Sequence, residues 1–481
     1  MNLAIVRYLL GWMLGVEAVF LLFPALTALI YQEHEIGAFL SAALLCAVIC
    51  WLLCRRKPEN TRFYAREGFV TVACCWIVLA LTGALPFLLP GEIASPIDAL
   101  FETISGFTTT GATILSDVEA LSHASLLWRS LTHWVGGMGV LVFMLAILPL
   151  AGGHTIYLMR AESPGPSVTK LSPHLRDTAL TLYAIYFGLT VLQIVLLLFG
   201  GMPFFDALNT ALATAGTGGF GIWNTSMAHY NSFYLQAVVT VFMILFGINF
   251  SFYFLLLTRR WRAAFQIEEV RLYLGVILAS AVVIGLNIRP MFHSIWESLH
   301  HAFFQVGSII TTTGFSTVDF DQWPALSKCI LVILMLIGAC AGSTGGGIKC
   351  SRILLMGKSV RKEMNFLIHP RSIRVNQMDG HRVQHEVMRS INVFLIAYCM
   401  IFLVSVLLLS LSNEEMITNF TAVAATLNNV GPGLAMVGPT CNFSFFSPLS
   451  KIVLMFDMLA GRLELFPMLL LFAPATWRRS R

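Results

Sequence analysis

Apolar residues in this chain run in stretches of roughly 17–25, the length that crosses the hydrocarbon core of a bilayer. They fall at 8–31 and 36–54, then pairwise at 68–89 and 124–150, 178–200 and 233–257, 272–288 and 325–357, and 391–412 and 449–475. After the first pair one design is used four times: an apolar span, a short helix-favouring stretch near 97–108, 204–215, 293–309 or 415–428, a polar turn with a glycine at its third place, and a second span. Those glycines, at 111, 219, 314 and 431, stand 108, 95 and 117 residues apart, so the units read as divergent internal repeats. The predicted fold is an all-α polytopic membrane protein of ten spans, with four pseudo-symmetric repeats around one axis and an N-terminal helix pair. The segments are 1–66, then repeats at 67–177, 178–270, 271–387 and 388–481.

The four turns carry the chemistry. They read Thr109-Thr110-Gly111-Ala112-Thr113, Thr217-Gly218-Gly219-Phe220-Gly221, Thr312-Thr313-Gly314-Phe315-Ser316 and Asn429-Val430-Gly431-Pro432-Gly433. Glycine and β-branched threonine disfavour helix, and glycine takes φ > 0 without steric cost. Non-helical backbone at membrane depth is tolerated only where protein buries it or it lines a water-filled cavity. Four such turns can surround one path, and rings of backbone carbonyls are known to replace the hydration shell of a cation. The candidate ion ligands are the carbonyls of Thr109, Thr110 and Gly111, of Thr217, Gly218 and Gly219, of Thr312, Thr313 and Gly314, and of Asn429, Val430 and Gly431. Each preceding short helix points its negative end at them.

Composition agrees with the pattern. With 57% hydrophobic and 11% charged residues in 481, the chain is excluded from the ordinary soluble classes. The net charge of +5 suggests nucleic acid only until its distribution is read, because Lys and Arg cluster between spans. Arg7, Arg55–Lys57, Arg62, Arg66, Arg160, Lys170, Arg176, Arg259–Arg262, Arg271, the stretch 352–389 and Arg478–Arg481 all fall on one face. The positive-inside rule makes that face cytoplasmic, with both termini on it and the turns nearer the outer face. No nucleic-acid partner is expected. The ten cysteines lack metal-type spacing and read as buried apolar thiols, and His369, His381 and His385 fall in a basic segment, 358–390, that reads as a solvated loop.

Two glycine motifs resemble nucleotide sites and fail on context. Gly216–Gly221 fits G-x-G-x-x-G but follows a helical stretch and has no acid about twenty residues on; Gly342–Lys349 lacks the Gly-Lys-Ser/Thr of a phosphate loop. An enzyme built on His123, His133, His154 or His174 would need acid–His or metal spacing that the chain lacks.

Gly338–Gly347 interrupts the second span of the third repeat with five glycines plus Ser343 and Thr344, each glycine costing about 1 kcal/mol in a helix relative to alanine. A break there makes Gly342, Ser343, Thr344, Gly345, Gly346, Gly347 and Lys349 a gate candidate under the turns; close packing of small residues is the other reading. Asp457, Arg462 and Glu464 in the last span must face a polar cavity or one another. Arg462 either stands near the path as an electrostatic barrier or pairs with Asp457 or Glu464. Glu102 either adds negative potential to the path or satisfies local donors.

The order of two extra helices and four such units, with SGFTTTGAT at 105–113, AGTGGFG at 215–221, TTTGFST at 311–317 and NNVGPG at 429–433, resembles the TrkH/TrkG potassium-uptake proteins of the Trk/Ktr/HKT superfamily. HWVGGMGV at 133–140 and GACAGSTGGGIK at 338–349 are further pieces of the likeness, which covers essentially the whole chain. It implies a selectivity filter for potassium ion, since glycine at all four filter positions goes with the potassium type. It further implies an intramembrane gating loop at 338–349 and a pore arginine matching Arg462. A homodimer in the bacterial inner membrane, regulated by a cytosolic nucleotide-binding TrkA-type subunit, is implied as well. A sodium or weakly selective path is the alternative within transport.

Overall fold

The computed structural model describes residues 1–58, 65–137, 139, 175–371 and 375–477. Arg62, Met138, Val140, the 141–150 part of an expected span, His154, Arg160, Lys170, His174 and Arg478–Arg481 lie outside the described residues.

The N-terminal pair is a hairpin of α1 (Leu3–Tyr31) and α2 (Ile36–Cys54). The first unit holds α3 (Ala65–Gly83), α4 (Leu85–Leu88), α5 (Pro96–Phe107) and α6 (His123–Gly137); the second holds α7 (Leu175–Phe199), α8 (Phe204–Ala215), α9 (Phe233–Phe246), α10 (Phe250–Leu257) and α11 (Trp261–Gln266). The third holds α12 (Glu268–Ile288), α13 (Ile295–Ile310), α14 (Ala325–Ile337) and α15 (Cys350–Ile368). The fourth holds α16 (His385–Leu409), α17 (Met416–Leu427), α18 (Pro448–Arg462), α19 (Phe466–Phe472) and α20 (Pro474–Trp477).

Helices α5, α8 and α17 are 12 residues each and α13 is 16. Twelve residues rise only about 18 Å against a core of about 30 Å, so such helices end inside the membrane. Their starts are set locally. Ser95 caps α5 by accepting from Asp98 N with Pro96 at the first position, and Ser294 caps α13 by accepting from Trp296 N. The ends of all four are buried: Thr108–Thr110, Thr214, Ala215 and Thr217, Thr311–Thr313 and Asn428–Val430 are 0% exposed.

Among the described residues six helices are long and apolar enough to cross a membrane, and α9 with α10 makes a seventh span bent by 92°. The chain is an all-α integral membrane protein. Three expected crossings depart from single helices. Of 124–150 only the α6 part is described. The span expected at 325–357 stops at Ile337 and restarts at Cys350, and that expected at 449–475 stops at Arg462 and restarts at Phe466. Glu464 and Leu465 take φ of 56° and 69° in the second break, which no glycine or proline at those positions announces. Likewise 233–257 bends at 247–249, where Gly247 leaves room for the Tyr273 hydroxyl and Asn249 caps α10 by accepting from Ser251 N.

Two smaller expectations also change. The segment 358–390 is not loop throughout: α15 continues to Ile368, and an Asp379-Gly380 turn joins β1 (Gln377–Met378) to β2 (His381–Arg382), an antiparallel pair held to α12 by Glu268 N on Asp379 Oδ1 at 2.8 Å. The thiols of Cys46, Cys75, Cys340 and Cys350 are buried as expected, but Cys329, Cys399 and Cys441 lie on the surface.

Candidate ion-conduction site

Each short helix ends in the same way. The amides of Thr109, Thr217, Thr312 and Asn429 bond back to Gly106, Thr214, Ile309 and Thr426 carbonyls at 3.0–3.1 Å. The next amides, of Thr110, Gly218, Thr313 and Val430, reach Ser105, Ala213, Ser308 and Ala425 at 2.8–3.0 Å. That is the Schellman closure, which requires a left-handed residue at its turn. Here the left-handed residues are Thr109, Thr217, Thr312 and Asn429, at φ of 52–60°. Left-handed β-branched residues cost of order 1–3 kcal/mol and persist only where their surroundings over-determine them. The three threonines carry that cost, while Asn429 is of a type that tolerates the left-handed region, so the four ends share one closure with strain at three of them.

The amides are thereby spent on the helices. Among the described residues no backbone amide outside helices and strands donates to a carbonyl of the twelve turn residues named above. Those carbonyls, brought together in buried turns, keep lone pairs of the kind that can replace a cation's hydration shell.

The ring is closed by glycines. Gly111, Gly219, Gly314 and Gly431 all have positive φ, and a Cβ on each would meet the next unit: Gly218 O from Gly111, Thr313 O from Gly219, Val430 O from Gly314, and Thr110 O from Gly431. The fourth unit thus returns to the first. Asn429 Nδ2 adds a cross-link to Thr110 Oγ1 at 2.9 Å.

Side chains behind the turns fix them. Buried His133 joins the first unit to the second, donating through Nδ1 to Gly106 O at 2.8 Å and accepting at Nε2 from Phe220 N at 3.2 Å. Nothing local in the sequence marks this role for His133, because Phe220 lies 87 positions away. Replacing His133 with alanine leaves the buried Phe220 amide without its acceptor, at about 1–3 kcal/mol, and takes from Gly106 O the donor it has besides the Thr109 amide. His133→Ala is expected to lower the apparent melting temperature of the purified protein by several degrees; a melting curve like the parent's would remove His133 from the support of the second turn.

Glu102 satisfies local donors: it accepts from Thr113 Oγ1 and Ile114 N at 3.0 Å and from Arg129 Nε at 2.8 Å. Arg129 also donates to Gly221 O at 3.0 Å, so this buried pair ties the exits of the first two turns.

The break at 338–349 lies directly against the turns. Gly346 N donates to Thr312 Oγ1 at 2.7 Å, a Cβ on Gly345 would stand 2.9 Å from Thr311 O, and one on Gly346 would overlap Asn428 O. Its ends are held by Glu269, whose Oε1 accepts from Ala341 N at 2.6 Å and Ser351 N at 2.9 Å. Phe250 N donates to Gly342 O at 3.0 Å, Ser343 Oγ bonds Cys340 O at 2.6 Å, and Lys349 Nζ donates to Gly345 O. The loop also depends on Gly347, whose φ is 79° and where a Cβ would stand 2.7 Å from Gly338 Cα.

Arg462 spans this loop and the first unit, donating to Thr344 O at 2.8 Å and to Gly136 O at 2.6 Å. The pairing with Asp457 or Glu464 weighed from the sequence is not the contact the structure shows: Glu464 is bridged to Arg352, and Asp457 Oδ1 accepts from Ser405 at 2.7 Å. Among the described residues no group of three or more His, Cys, Asp or Glu has a metal-binding arrangement.

Comparison with known proteins gives one answer. The family TrkH, described as a cation transport protein, matches residues 36–286 and 289–479. The Trk system potassium uptake protein TrkH of Salmonella typhimurium is 38% identical over 468 residues, covering 95% of this chain and 96% of that protein. TrkG of Escherichia coli, a Trk system potassium uptake protein, is 31% identical over 484 residues, with 99% of each chain covered. The crystal structure of the potassium transporter TrkH from Vibrio parahaemolyticus superposes with a TM-score of 0.90 at 32% identity, covering 99% of this chain and 100% of that one.

Proposed function

The chain belongs to the TrkH family of cation transport proteins, and from that premise we propose that it takes up potassium through the ring of four turns. It is a membrane transport protein and not an enzyme. The observation that carries the reading is the closed ring: four left-handed helix ends with spent amides and open carbonyls, each glycine abutting the next unit's carbonyl. A dehydrated cation gains carbonyl ligands there and the negative ends of α5, α8, α13 and α17.

In this reading the chain consists of an N-terminal segment, 1–66, and pore repeats at 67–177, 178–270, 271–387 and 388–481. The loop Gly342–Gly347, with Lys349 and Arg462, is the gate beneath the filter. The protein sits as a homodimer in the bacterial inner membrane with both termini in the cytoplasm, and a cytosolic nucleotide-binding TrkA-type subunit docks on the basic face. Purified protein in planar bilayers under opposed potassium and sodium gradients tests the core of this. A reversal potential near the potassium equilibrium value is expected; one midway between the two ions would replace the potassium filter by a weakly selective path.

A further inference from the structure

The four turns are braced in two different ways. At the first and third, the residues on either side of the left-handed threonine both carry hydroxyls: Thr108 Oγ1 and Thr110 Oγ1 lie 2.8 Å apart, and Thr311 Oγ1 and Thr313 Oγ1 lie 2.7 Å apart. Thr108 and Thr311 also donate back to Ile104 O and Gly307 O at 2.7 Å, so each of these turns closes on its own helix. At the second turn the same places are Gly216 and Gly218, and the His133 ring stands where a side chain would be, since a Cβ on Gly218 would overlap it. At the fourth they are Asn428 and Val430. The valine side chain cannot hydrogen-bond, and Asn428 pairs with Tyr398 of α16: its Nδ2 donates to the Tyr398 hydroxyl at 2.8 Å and to Ala424 O at 2.8 Å, and the hydroxyl lies 3.1 Å from its Oδ1.

Tyr398 lies in an apolar span whose other face, at Ile396, Met400 and Leu403, is exposed. It is itself buried, its ring stacked between Phe394 and Phe402 with centroids 6.3 and 6.2 Å away. That packing needs no hydroxyl. A phenol group away from water must find a polar partner, and among the described residues the hydrogen bonds of this one go to Asn428 alone. Asn428 directly precedes Asn429, the left-handed residue of the turn, whose Nδ2 donates to Thr110 Oγ1 and to Met458 O at 2.9 Å. The brace thus reaches from a lipid-facing helix to the seam where the fourth unit closes on the first.

We propose that Tyr398 is a positioning residue for ion selection: its hydroxyl holds Asn428, and through it the carbonyls of Asn429, Val430 and Gly431, in register with the other three turns. The inference rests on the reading of the turns as the filter. The first and third turns need no such help, because their hydroxyl pairs are internal. Without the Tyr398 hydroxyl, the Asn428 side chain keeps only Ala424 O, a bond within its own helix. Nothing on the α16 side then fixes the fourth turn, and a ring whose oxygens can follow a smaller ion inward discriminates less against it.

The test uses the full chain in planar bilayers under opposed potassium and sodium gradients. Tyr398→Phe keeps the ring and its stacking and is expected to lower the potassium-over-sodium permeability ratio about fivefold, the equivalent of about 1 kcal/mol between the two ions. Phe402→Leu loosens the same aromatic stack without touching Asn428, so it should lower the melting temperature and leave the ratio within about 1.5-fold of the parent's. Asn428→Thr together with Val430→Thr gives the fourth turn the hydroxyl pair of the first and third; in that background Tyr398→Phe should change the ratio by less than about 1.5-fold. An unselective parent would overturn the filter reading and this inference with it. With a selective parent, three results would overturn the inference alone: a Tyr398→Phe ratio equal to the parent's, an equal fall in Phe402→Leu, or an undiminished effect of Tyr398→Phe in the doubly substituted background.

Discussion

Gly111→Ser and Gly314→Ser are expected to reduce the potassium-over-sodium permeability ratio by about tenfold or more, the effect of a shift of about 1.4 kcal/mol between the two ions. The added Cβ meets two obstacles at once. Both glycines sit at φ of 79° and 85°, where a side chain is strained, and the new atom falls on the Gly218 carbonyl in one case and the Val430 carbonyl in the other. Neither obstacle yields cheaply, because Gly218 and Val430, which carry those carbonyls, are held through their amides by Schellman closures. The ring must open or twist, and a ring that no longer matches one ion's size lets its competitor in. Gly188→Ala is the control. It lies in α7 with nothing within 4 Å of the new Cβ, so it should leave the ratio alone. Reversal potentials of folded protein decide this; a Gly314→Ser ratio equal to the parent's would remove the third turn from the filter.

Much of this architecture is legible from the chain because its signals are local. An apolar run of bilayer length needs no partner to be recognised, and Thr-Thr-Gly after a helix-favouring stretch announces a helix end wherever it occurs. The glycine-rich interruption after Ile337 is equally plain, since no helix keeps five glycines in ten residues. What the chain hides is whatever depends on a distant neighbour. Leu465 takes φ of 69° where α19 turns back against α3; Pro467 favours a break nearby, but neither Glu464 nor Leu465 is of a type that favours the left-handed region. His133 and Glu102 look like stray polar residues until Phe220, 87 positions away, and Arg129, 27 away, are brought beside them. Glycine marks the unusual backbone at the third residue of each turn, whereas the first residue, a threonine or asparagine, goes left-handed as well.

Arg462→Ala is expected to raise rubidium flux, and the structure separates two reasons for it that the sequence could not. The guanidinium is a fixed positive charge beneath the proposed filter, and it is also a clamp joining Thr344 of the loop to Gly136 of the first unit. A unit charge about 8 Å from a passing cation costs roughly 2 kcal/mol at an effective dielectric of 20, up to about thirtyfold in rate if all of it falls on the barrier. Water in the path lowers that, so a rise of about three- to tenfold is the expected outcome. Arg462→Lys distinguishes the reasons, because lysine keeps the charge but cannot span two carbonyls as a planar fork does. If charge makes the barrier, the lysine variant conducts like the parent; if the clamp makes it, the lysine variant conducts like alanine. Deleting Gly342–Gly346 should also raise flux, but with a second effect. Gly346 N is bonded to Thr312 Oγ1 and Gly345 packs on Thr311 O, so the deletion removes a prop of the third turn and should lower selectivity as well. Flux that rises without loss of selectivity is therefore the signature of Arg462 alone. Measured in liposomes at equal amounts of folded protein, flux unchanged or lower in both Arg462→Ala and the deletion would return the loop and the arginine to helix packing.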